Sequence, residues 1–360
     1  MKKIQEYTQL IEESLTAQNF NHQPSELYEP ISYILSLGGK RLRPALCLAA
    51  TDLFGGEVKK AIKPALAIEI FHNFSLVHDD IMDAAPLRRG MATVHKKWDD
   101  NIAILSGDAM LVKAYQYVAQ VSPEILPRVL ELFSQTAIEV CEGQQYDLNF
   151  ESLDDVKEED YLKMIKLKTS VLLGCALKLG AFIANSSEED AQAIYDFGLN
   201  IGIAFQIQDD ILDAFGESDK FGKLSGGDIL NDKKTILMIY AQSHYHEIGK
   251  WFGDKKEAEE KIEAVKKLFV ECGAKAYAET FDLTQIGLIL NYEARGNSGP
   301  SIAFEWSEGN AWLVKEMRKV TTRPVSSSMS YEIYNLLPNN TDYSNFKPKG
   351  VPGINHAFID

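Results

Sequence analysis

Apolar residues recur three and four positions apart along most of the first 280 residues of this chain. On an α-helix this spacing places them on one face. The pattern occurs in nine segments: 4–15, 27–37, 43–54, 61–82, 103–121, 128–148, 161–184, 191–215 and 257–273. Several of the segments are apolar nearly all round, which is typical of helices in the middle of a bundle. The sequence therefore predicts an all-α helical bundle.

The pattern changes after about residue 282. Residues 286–296 and 301–309 predict strands, residues 311–320 predict a helix, and residues 336–360 are rich in turn-forming residues. Strands appended to a helical bundle indicate a second folding unit. We therefore divide the chain into a helical domain, 1–282, and a short α/β-like appendix, 283–360.

Composition and charge narrow the class of protein. The chain has 360 residues, a formal net charge of −15 and a pI near 5.0. Such a chain lacks the basic surface of a nucleic-acid-binding protein. No two of its four cysteines are close enough in sequence to form a metal-binding pair, so reduced thiols are expected. No signal peptide is evident, and the longest apolar run is interrupted by Lys178. We expect a cytoplasmic protein without stable membrane insertion.

Two aspartate clusters carry the strongest chemical signal. Both have the spacing D-D-x-x-D, and they consist of Asp79, Asp80, Asp83, Asp209, Asp210 and Asp213. Carboxylates one helical turn apart repel each other unless a cation lies between them, and Mg²⁺ suits such a pair. The alternative is a solvated acidic face. The residues before both clusters are mostly apolar, which disfavours that alternative.

Basic residues accompany both clusters. They are Lys40, Arg41, Arg43, Arg88, Arg89, Lys168, Lys223 and Lys233. Any one of them could form an ordinary surface salt bridge. Arginine and lysine also bind phosphate, so together with the carboxylates they predict a site for two diphosphates.

The motifs LGGKRLRP, HNFSLVHDDIMDAAPLRRG, GDAML, GQQYDL, KTS, FQIQDDILD and GKLSGGD occur here in the order found in trans-isoprenyl diphosphate synthases. Residues 1 to about 280 resemble that family. The resemblance implies a helical bundle around a deep cavity, a homodimer, and three Mg²⁺ ions for which Mn²⁺ can substitute. It implies condensation of isopentenyl diphosphate with dimethylallyl, geranyl or farnesyl diphosphate.

The resemblance also implies a role for each matching residue. Asp79, Asp83 and Asp209 correspond to metal ligands, whereas Asp80, Asp210 and Asp213 correspond to further catalytic carboxylates. Residues matching the allylic diphosphate site are Arg88, Lys168, Thr169, Gln206, Lys223 and Lys233, of which Arg88 and Lys168 also count as catalytic. Residues matching the isopentenyl diphosphate site are Lys40, Arg43, His72 and Arg89. A lone histidine on an apolar helix is usually a core residue, but its motif position favours the site.

Product length is expected to depend on the cavity floor. Phe74 and Ser75 lie five and four residues before Asp79, or about 6–7.5 Å along a helix. The resemblance places bulky floor residues here, which implies a product of fifteen or twenty carbons, farnesyl or geranylgeranyl diphosphate. Phe74 could equally be an ordinary core residue.

The last 78 residues, 283–360, resemble part of a zinc-dependent aminopeptidase-type exopeptidase. That resemblance implies that Glu293, and with it Asp342, would lie near a dinuclear zinc site. The segments that supply the other ligands are absent, so we expect no peptidase activity. We also expect this appendix to be poorly packed against the bundle, because strands without their parent sheet leave unpaired edges.

Two other functions compete with an active prenyltransferase. A terpene cyclase shares an aspartate-rich motif, but GGKRLRP and the second cluster argue against it because a cyclase binds no isopentenyl diphosphate. A non-catalytic subunit or a fold-damaged fusion is the other alternative. The complete aspartate clusters disfavour a non-catalytic subunit, whereas the appendix is compatible with a damaged fusion.

Overall fold

The computed structural model describes residues 2–18, 20, 22–153, 155–215, 226–244, 246–251 and 258–280, together with four C-terminal strands. It divides into two compact units, residues 1–239 and 240–360. The helices of the first unit are α1 (Lys2–Thr16), α2 (Ser25–Ser36), α3 (Leu42–Leu53), α4 (Val58–Met82), α5 (Val94–Lys97), α6 (Asp100–Val118), α7 (Leu126–Glu151), α8 (Glu158–Ile165), α9 (Val171–Ile183), α10 (Glu188–Phe215) and α11 (Gly227–Leu230). Helix α12 (Ile236–His244) spans the division between the units.

Helices α4 and α9 form the centre of the first unit. Helix α4 packs against α3, α6 and α9, and α9 packs against α3, α7 and α10. In α9 only Lys178 and Ile183 are not buried. A helix that is apolar on every face is stable only when neighbours cover all of it, which explains the central position of α9.

All nine segments with helical spacing contain helix in the structure, so the predicted all-α bundle is confirmed. Segment 161–184 differs in one respect, because a π-helix (Lys166–Ser170) separates α8 from α9. The periodicity did not predict α5, α11, α12 or the antiparallel hairpin of β1 (Leu87–Arg88) and β2 (Met91–Ala92). These elements are too short to show a period.

The second unit contains a 3₁₀ helix (His246–Trp251), helix α13 (Ala258–Thr280) and a four-stranded sheet. Strands β3 (Ile289–Ala294) and β4 (Ser301–Trp306) coincide with the two predicted strands. Strand β6 (Gly353–Phe358) lies between them, parallel to β3 and antiparallel to β4, and β5 (Val325–Ser326) pairs with β4. The turn-rich 336–360 segment thus contains a strand that pairs on both sides. The helix predicted for 311–320 lies outside the described residues.

Among the helices in the described ranges, none is both long and apolar enough to cross a membrane.

Candidate active site

The first aspartate cluster lies at the C-terminal end of α4. Asp79 and Asp80 are in its last turn, and Asp83 follows its last residue, with the Asp83 N–H donating to the Asp79 carbonyl at 2.9 Å. The C-terminal end of a helix carries partial negative charge, so carboxylates here are unfavourable unless cations neutralise them. Burial and the neighbouring Asp79 raise the pKa of Asp83. This end of α4 therefore favours a bound cation.

Asp80 pairs with an arginine on the β1–β2 hairpin. Arg88 donates from Nε to Asp80 Oδ2 at 2.8 Å, and its Nη2 lies 2.7 Å from Oδ1. The Asp80 side chain is only 2% exposed, and burial raises its pKa despite the opposing effect of Arg88. Arg88 Nη2 also lies 3.9 Å from Asp79 Oδ2. One hydrogen bond and this close charge contact hold the Arg88 guanidinium against Asp80 and beside Asp79.

The π-helix brings a lysine to the same cluster. Lys168 Nζ donates to Asp147 Oδ2 at 2.5 Å and to Asp79 Oδ1 at 3.4 Å. Burial would lower the pKa of Lys168, but Asp79 and Asp147 outweigh it and the pKa is raised. Helix α7 approaches closely only because residue 143 is glycine, since a Cβ there would lie 2.2 Å from the Lys168 nitrogen. Single π-turns within helices are frequent at functional sites.

The second cluster lies at the C-terminal end of α10. Asp210 is 4% exposed and accepts hydrogen bonds from the Tyr161 hydroxyl and, at 3.3 Å, from Gln206 Nε2. Gln206 in turn accepts from the Thr169 hydroxyl at 3.2 Å. Asp210 is thus held within the protein, and a chain of hydrogen bonds connects it to the π-helix.

The other two members of this cluster have different surroundings. Asp213 Oδ2 accepts from the Asp228 N–H at 2.9 Å, which ties α10 to the start of α11. Asp209 is exposed and lines a pocket. Of these three carboxylates, Asp209 is therefore the one most accessible to a ligand.

Lys233 interacts with carboxylates from several elements. Its Nζ lies 3.7 Å from Asp228 Oδ1. Burial lowers the pKa of Lys233, but Asp228, Asp147, Asp210 and Asp83 together outweigh burial, so the net change is upward. The charge of Lys233 is therefore influenced by one carboxylate of each aspartate cluster.

Two pockets meet at Arg43 and His72, which line both of them. Arg43 Nη1 lies 3.3 Å from His72 Nε2. Because arginine only donates, we assign Nε2 as the acceptor and place the proton on Nδ1. Burial and then Arg43 hold the pKa of His72 well below 6.5. Arg43 Nε is buried and has no hydrogen-bond partner among the described residues.

The second pocket has several cationic lining residues. Lys40, Arg43 and Arg89 line it, together with Asp209 and Phe205. Arg41 also lines it but is 1% exposed and is held by Glu69 at 2.6 Å, Glu12 at 2.8 Å and the Leu35 carbonyl at 2.7 Å. Anchoring Arg41 positions the two residues beside it in the chain, Lys40 and Leu42, in the pocket wall.

The first pocket is lined by both charged and apolar side chains. Asp79, Lys168 and Thr169 are among its polar lining residues, and Leu76, Val140 and Leu172 are among its apolar ones. Phe74 and Ser75 line the same pocket. The pocket can therefore hold a molecule with a charged head and a hydrocarbon tail.

Comparison with known proteins identifies the family. A family model described as polyprenyl synthetase matches residues 24–269. The chain belongs to the polyprenyl synthetase family. Geranylgeranyl diphosphate synthase of Methanosarcina mazei is 38% identical over 266 residues, covering 73% of this chain and 82% of that protein. Geranylfarnesyl diphosphate synthase of Natronomonas pharaonis is 34% identical over 299 residues, covering 78% and 87%. The crystal structure of the Pyrococcus horikoshii geranylgeranyl pyrophosphate synthetase is 38% identical, with a TM-score of 0.71 and coverage of 77% and 88%.

A second family model, peptidase family M28, matches residues 256–360. The predicted resemblance of the C-terminal residues to a zinc peptidase is thereby confirmed, although the match begins before residue 283 and overlaps the synthetase match. Glu293 lies in β3, and Asp342 lies outside the described residues.

The structure brings most of the predicted polyprenyl synthetase residues into these two pockets or within contact of their lining. Lys223 lies outside the described residues. Sequence reasoning missed Asp147, Tyr161 and Glu69, which pair with Lys168, Asp210 and Arg41. Asp147 could have been found, because it lies within the GQQYDL motif. Tyr161 and Glu69 carry no local signal.

Proposed function

We propose that this chain is a short-chain prenyl diphosphate synthase. It condenses isopentenyl diphosphate with an allylic diphosphate to give an all-trans product of fifteen or twenty carbons and releases diphosphate. The supporting observation is that two pockets, one lined by Asp79 and Lys168 and the other by Asp209, Lys40 and Arg89, share Arg43 and His72 in their linings. The names of the geranylgeranyl synthase relatives favour twenty carbons.

The allylic diphosphate binds in the first pocket. Arg88, Lys168 and Lys233 surround it, assisted by Thr169 and Gln206. When the bond between the allylic carbon and oxygen breaks, the electron pair leaves with the diphosphate. Fixed cations that face the leaving group stabilise the charge that develops on it.

Isopentenyl diphosphate binds in the second pocket, where Lys40, Arg43 and Arg89 hold its diphosphate. Neutral His72 donates from Nδ1 to the same diphosphate. The alkene of isopentenyl diphosphate forms the new carbon–carbon bond with the allylic cation, and the proton then lost goes to the departed diphosphate. Apolar residues of the first pocket exclude the water that would otherwise trap the cation.

The carboxylates fit Mg²⁺. Asp79, Asp83 and Asp209 are carboxylates near helix C-terminal ends, and burial together with Asp79 raises the pKa of Asp83 despite the opposing effect of Lys168 and Lys233. Within the described ranges, no three His, Cys, Asp or Glu side chains are grouped to hold a metal alone. Water and phosphate oxygens would complete the coordination. Bound Mg²⁺ supplies further neutralisation of the leaving diphosphate. We propose three ions, with Mn²⁺ as a substitute.

The test is incubation of the purified chain with Mg²⁺, isopentenyl diphosphate and each of dimethylallyl, geranyl and farnesyl diphosphate. We expect elongated products, separated by chromatography after dephosphorylation. Absence of any elongated product with all three starters, from folded protein, would refute the proposal. A cyclic hydrocarbon formed without isopentenyl diphosphate would identify a terpene cyclase.

We further propose a cytoplasmic homodimer whose residues 283–360 have no peptidase activity. The family supports the dimer, and the match of residues 24–269 to the synthetase model leaves no upstream peptidase segment to supply further zinc ligands. Mass measurement by light scattering tests the dimer. Assay of zinc-loaded protein on aminoacyl p-nitroanilides tests the second statement, and release of nitroaniline would contradict it.

A further inference from the structure

Two neighbouring arginines of the β1–β2 hairpin reach different parts of the site. Arg88 pairs with Met91, so Arg89 and Gly90 form the two-residue turn of the hairpin. Both turn residues have positive φ, 54° and 78°, which is typical of a type I′ turn. Arg88 is held against Asp80, whereas Arg89 lines the second pocket. The turn thus divides the two arginines between the first aspartate cluster and the second pocket.

The Arg89 guanidinium lies directly against Gly39, which also lines the second pocket. An ideal Cβ built on Gly39 would lie 2.9 Å from Arg89 Nη2 and 3.0 Å from both Cζ and Nη1. Ordinary contacts of a Cβ are 3.4–4 Å, so the guanidinium takes this position because residue 39 has no side chain. Since Cζ is as close as the two nitrogens, Gly39 meets the face of the guanidinium rather than its edge. The N–H donors, which lie in the guanidinium plane, are therefore not covered by Gly39.

The loop that carries Gly39 is anchored beside it. Arg41 donates to the Leu35 carbonyl at 2.7 Å, which ties the end of α2 to the start of α3 across the loop. The same guanidinium is held by buried Glu69 at 2.6 Å. The backbone at Gly39 is thus fixed, whereas the Arg89 guanidinium is the far end of a flexible side chain. If a side chain is added at position 39, we expect the guanidinium to move rather than the loop.

The surroundings of Arg89 favour a bound anion. Among the described residues, Arg89 forms no salt bridge with a carboxylate, in contrast to Arg88 and Arg41. Burial and then the charge of Arg41 lower the pKa of Arg89, although Glu69 opposes them. An anion next to this guanidinium would offset both effects.

A guanidinium binds phosphate through two parallel N–H donors, so its orientation decides how well it binds. We propose that Gly39 positions the Arg89 guanidinium for the diphosphate of isopentenyl diphosphate. This inference rests on the proposed synthase function and adds Gly39 to the second pocket as a positioning residue that acts through Arg89.

The size of the effect follows from the contact distances. With alanine at position 39 the guanidinium must move by about 0.5–1 Å to restore an ordinary contact. Charge-assisted hydrogen bonds are short, about 2.7–2.9 Å, so this displacement removes at least one of them. We therefore expect KM for isopentenyl diphosphate to rise about 10-fold. KM for the allylic diphosphate should not change, because Arg88 is held separately by Asp80.

The test compares Gly39→Ala, Arg89→Ala and the double variant in the full chain, with KM measured for each substrate separately. Gly38→Ala is the matched control, because Gly38 also has positive φ but a Cβ there meets nothing within 4 Å. Both alanines strain the loop backbone, and only the one at position 39 meets Arg89. We expect KM for isopentenyl diphosphate to rise in Gly39→Ala and to stay at the wild-type value in Gly38→Ala. Adding Gly39→Ala to Arg89→Ala should raise it no further, because the guanidinium is then already absent.

Circular dichroism and the melting temperature verify that each variant folds. Three results would overturn the inference while condensation itself continued: an unchanged KM in folded Gly39→Ala, an equal rise in Gly38→Ala, or the same additional rise in the Arg89→Ala background. A rise for both substrates would also overturn it, because the effect would then not be confined to the second pocket. So would failure of Gly39→Ala to fold, because position 39 would then be required by the backbone rather than by Arg89. Absence of any product from the wild-type chain would instead refute the synthase function, and this inference with it.

Discussion

The ion pair beneath the second pocket allows a quantitative test. Arg41 and Glu69 are 1% and 4% exposed and lie 2.6 Å apart, and Asn73 Nδ2 donates to the same Glu69 oxygen at 2.9 Å. In Arg41→Met the arginine's three hydrogen bonds are lost, and Glu69 retains its contact with Asn73. A buried carboxylate deprived of its cation is strongly destabilising.

The magnitude follows from burial. Breaking a buried pair by removing one partner decreases the free energy of unfolding by about 3–5 kcal/mol. The contact with Glu12, which is 42% exposed, adds less than about 1 kcal/mol. Replacing both partners, in Arg41→Met with Glu69→Leu, removes the uncompensated charge and should restore stability to within about 2 kcal/mol of wild type.

Urea denaturation followed by circular dichroism at 222 nm measures these differences. Lys3→Met is the matched control, because Lys3 pairs with Asp52 at 2.7 Å but is 74% exposed, and its loss should leave the free energy of unfolding nearly unchanged. If Arg41→Met is no more destabilising than Lys3→Met, the assignment of Arg41 as the buried anchor of this pocket is wrong. The same conclusion follows if the double variant is as unstable as Arg41→Met.

Three further results are expected. Asp79→Ala and Asp209→Ala should each lower kcat at least about 100-fold at saturating Mg²⁺, because each removes a proposed Mg²⁺ ligand next to the leaving diphosphate. Unchanged product formation would refute the proposed roles of Asp79 and Asp209 as metal ligands. Tyr161→Phe removes the hydroxyl that donates to buried Asp210 and should lower the free energy of unfolding by about 1.5–3 kcal/mol in urea denaturation, whereas a neutral result would mean that this bond contributes nothing. The pKa of His72 is lowered in the folded state, so below pH 6.5 the unfolded chain binds more protons and the free energy of unfolding decreases as the pH is lowered. His72→Asn should reduce that pH dependence by up to about 1.4 kcal/mol per pH unit. An unchanged pH dependence would contradict this prediction.

The helices and both aspartate clusters could be predicted from sequence because their signals are local. A helical period is visible within a dozen residues, and D-D-x-x-D places Asp79 and Asp83 one turn apart without reference to the rest of the fold. The π-helix at 166–170 could not be predicted. It depends on the close approach of α7 at Gly143, and nothing near KLKTS in the sequence indicates that contact.

The partners of the charged groups were decided by tertiary structure. Asp80 and Arg88 are eight residues apart, but Lys168 meets Asp79 across 89 residues and Tyr161 meets Asp210 across 49. Strand β6 likewise exists through pairing with β3 and β4, although its own segment is rich in turn residues.

The sequence by itself determined which residues could form helices and which could bind cations and phosphates, because periodicity and side-chain chemistry are properties of short segments. Only the tertiary structure decided which of these carboxylates are buried and which one lines a pocket. That outcome depends on distances between helices far apart in the chain. Asp80 and Asp210 are buried, whereas Asp209 is exposed and lines a pocket.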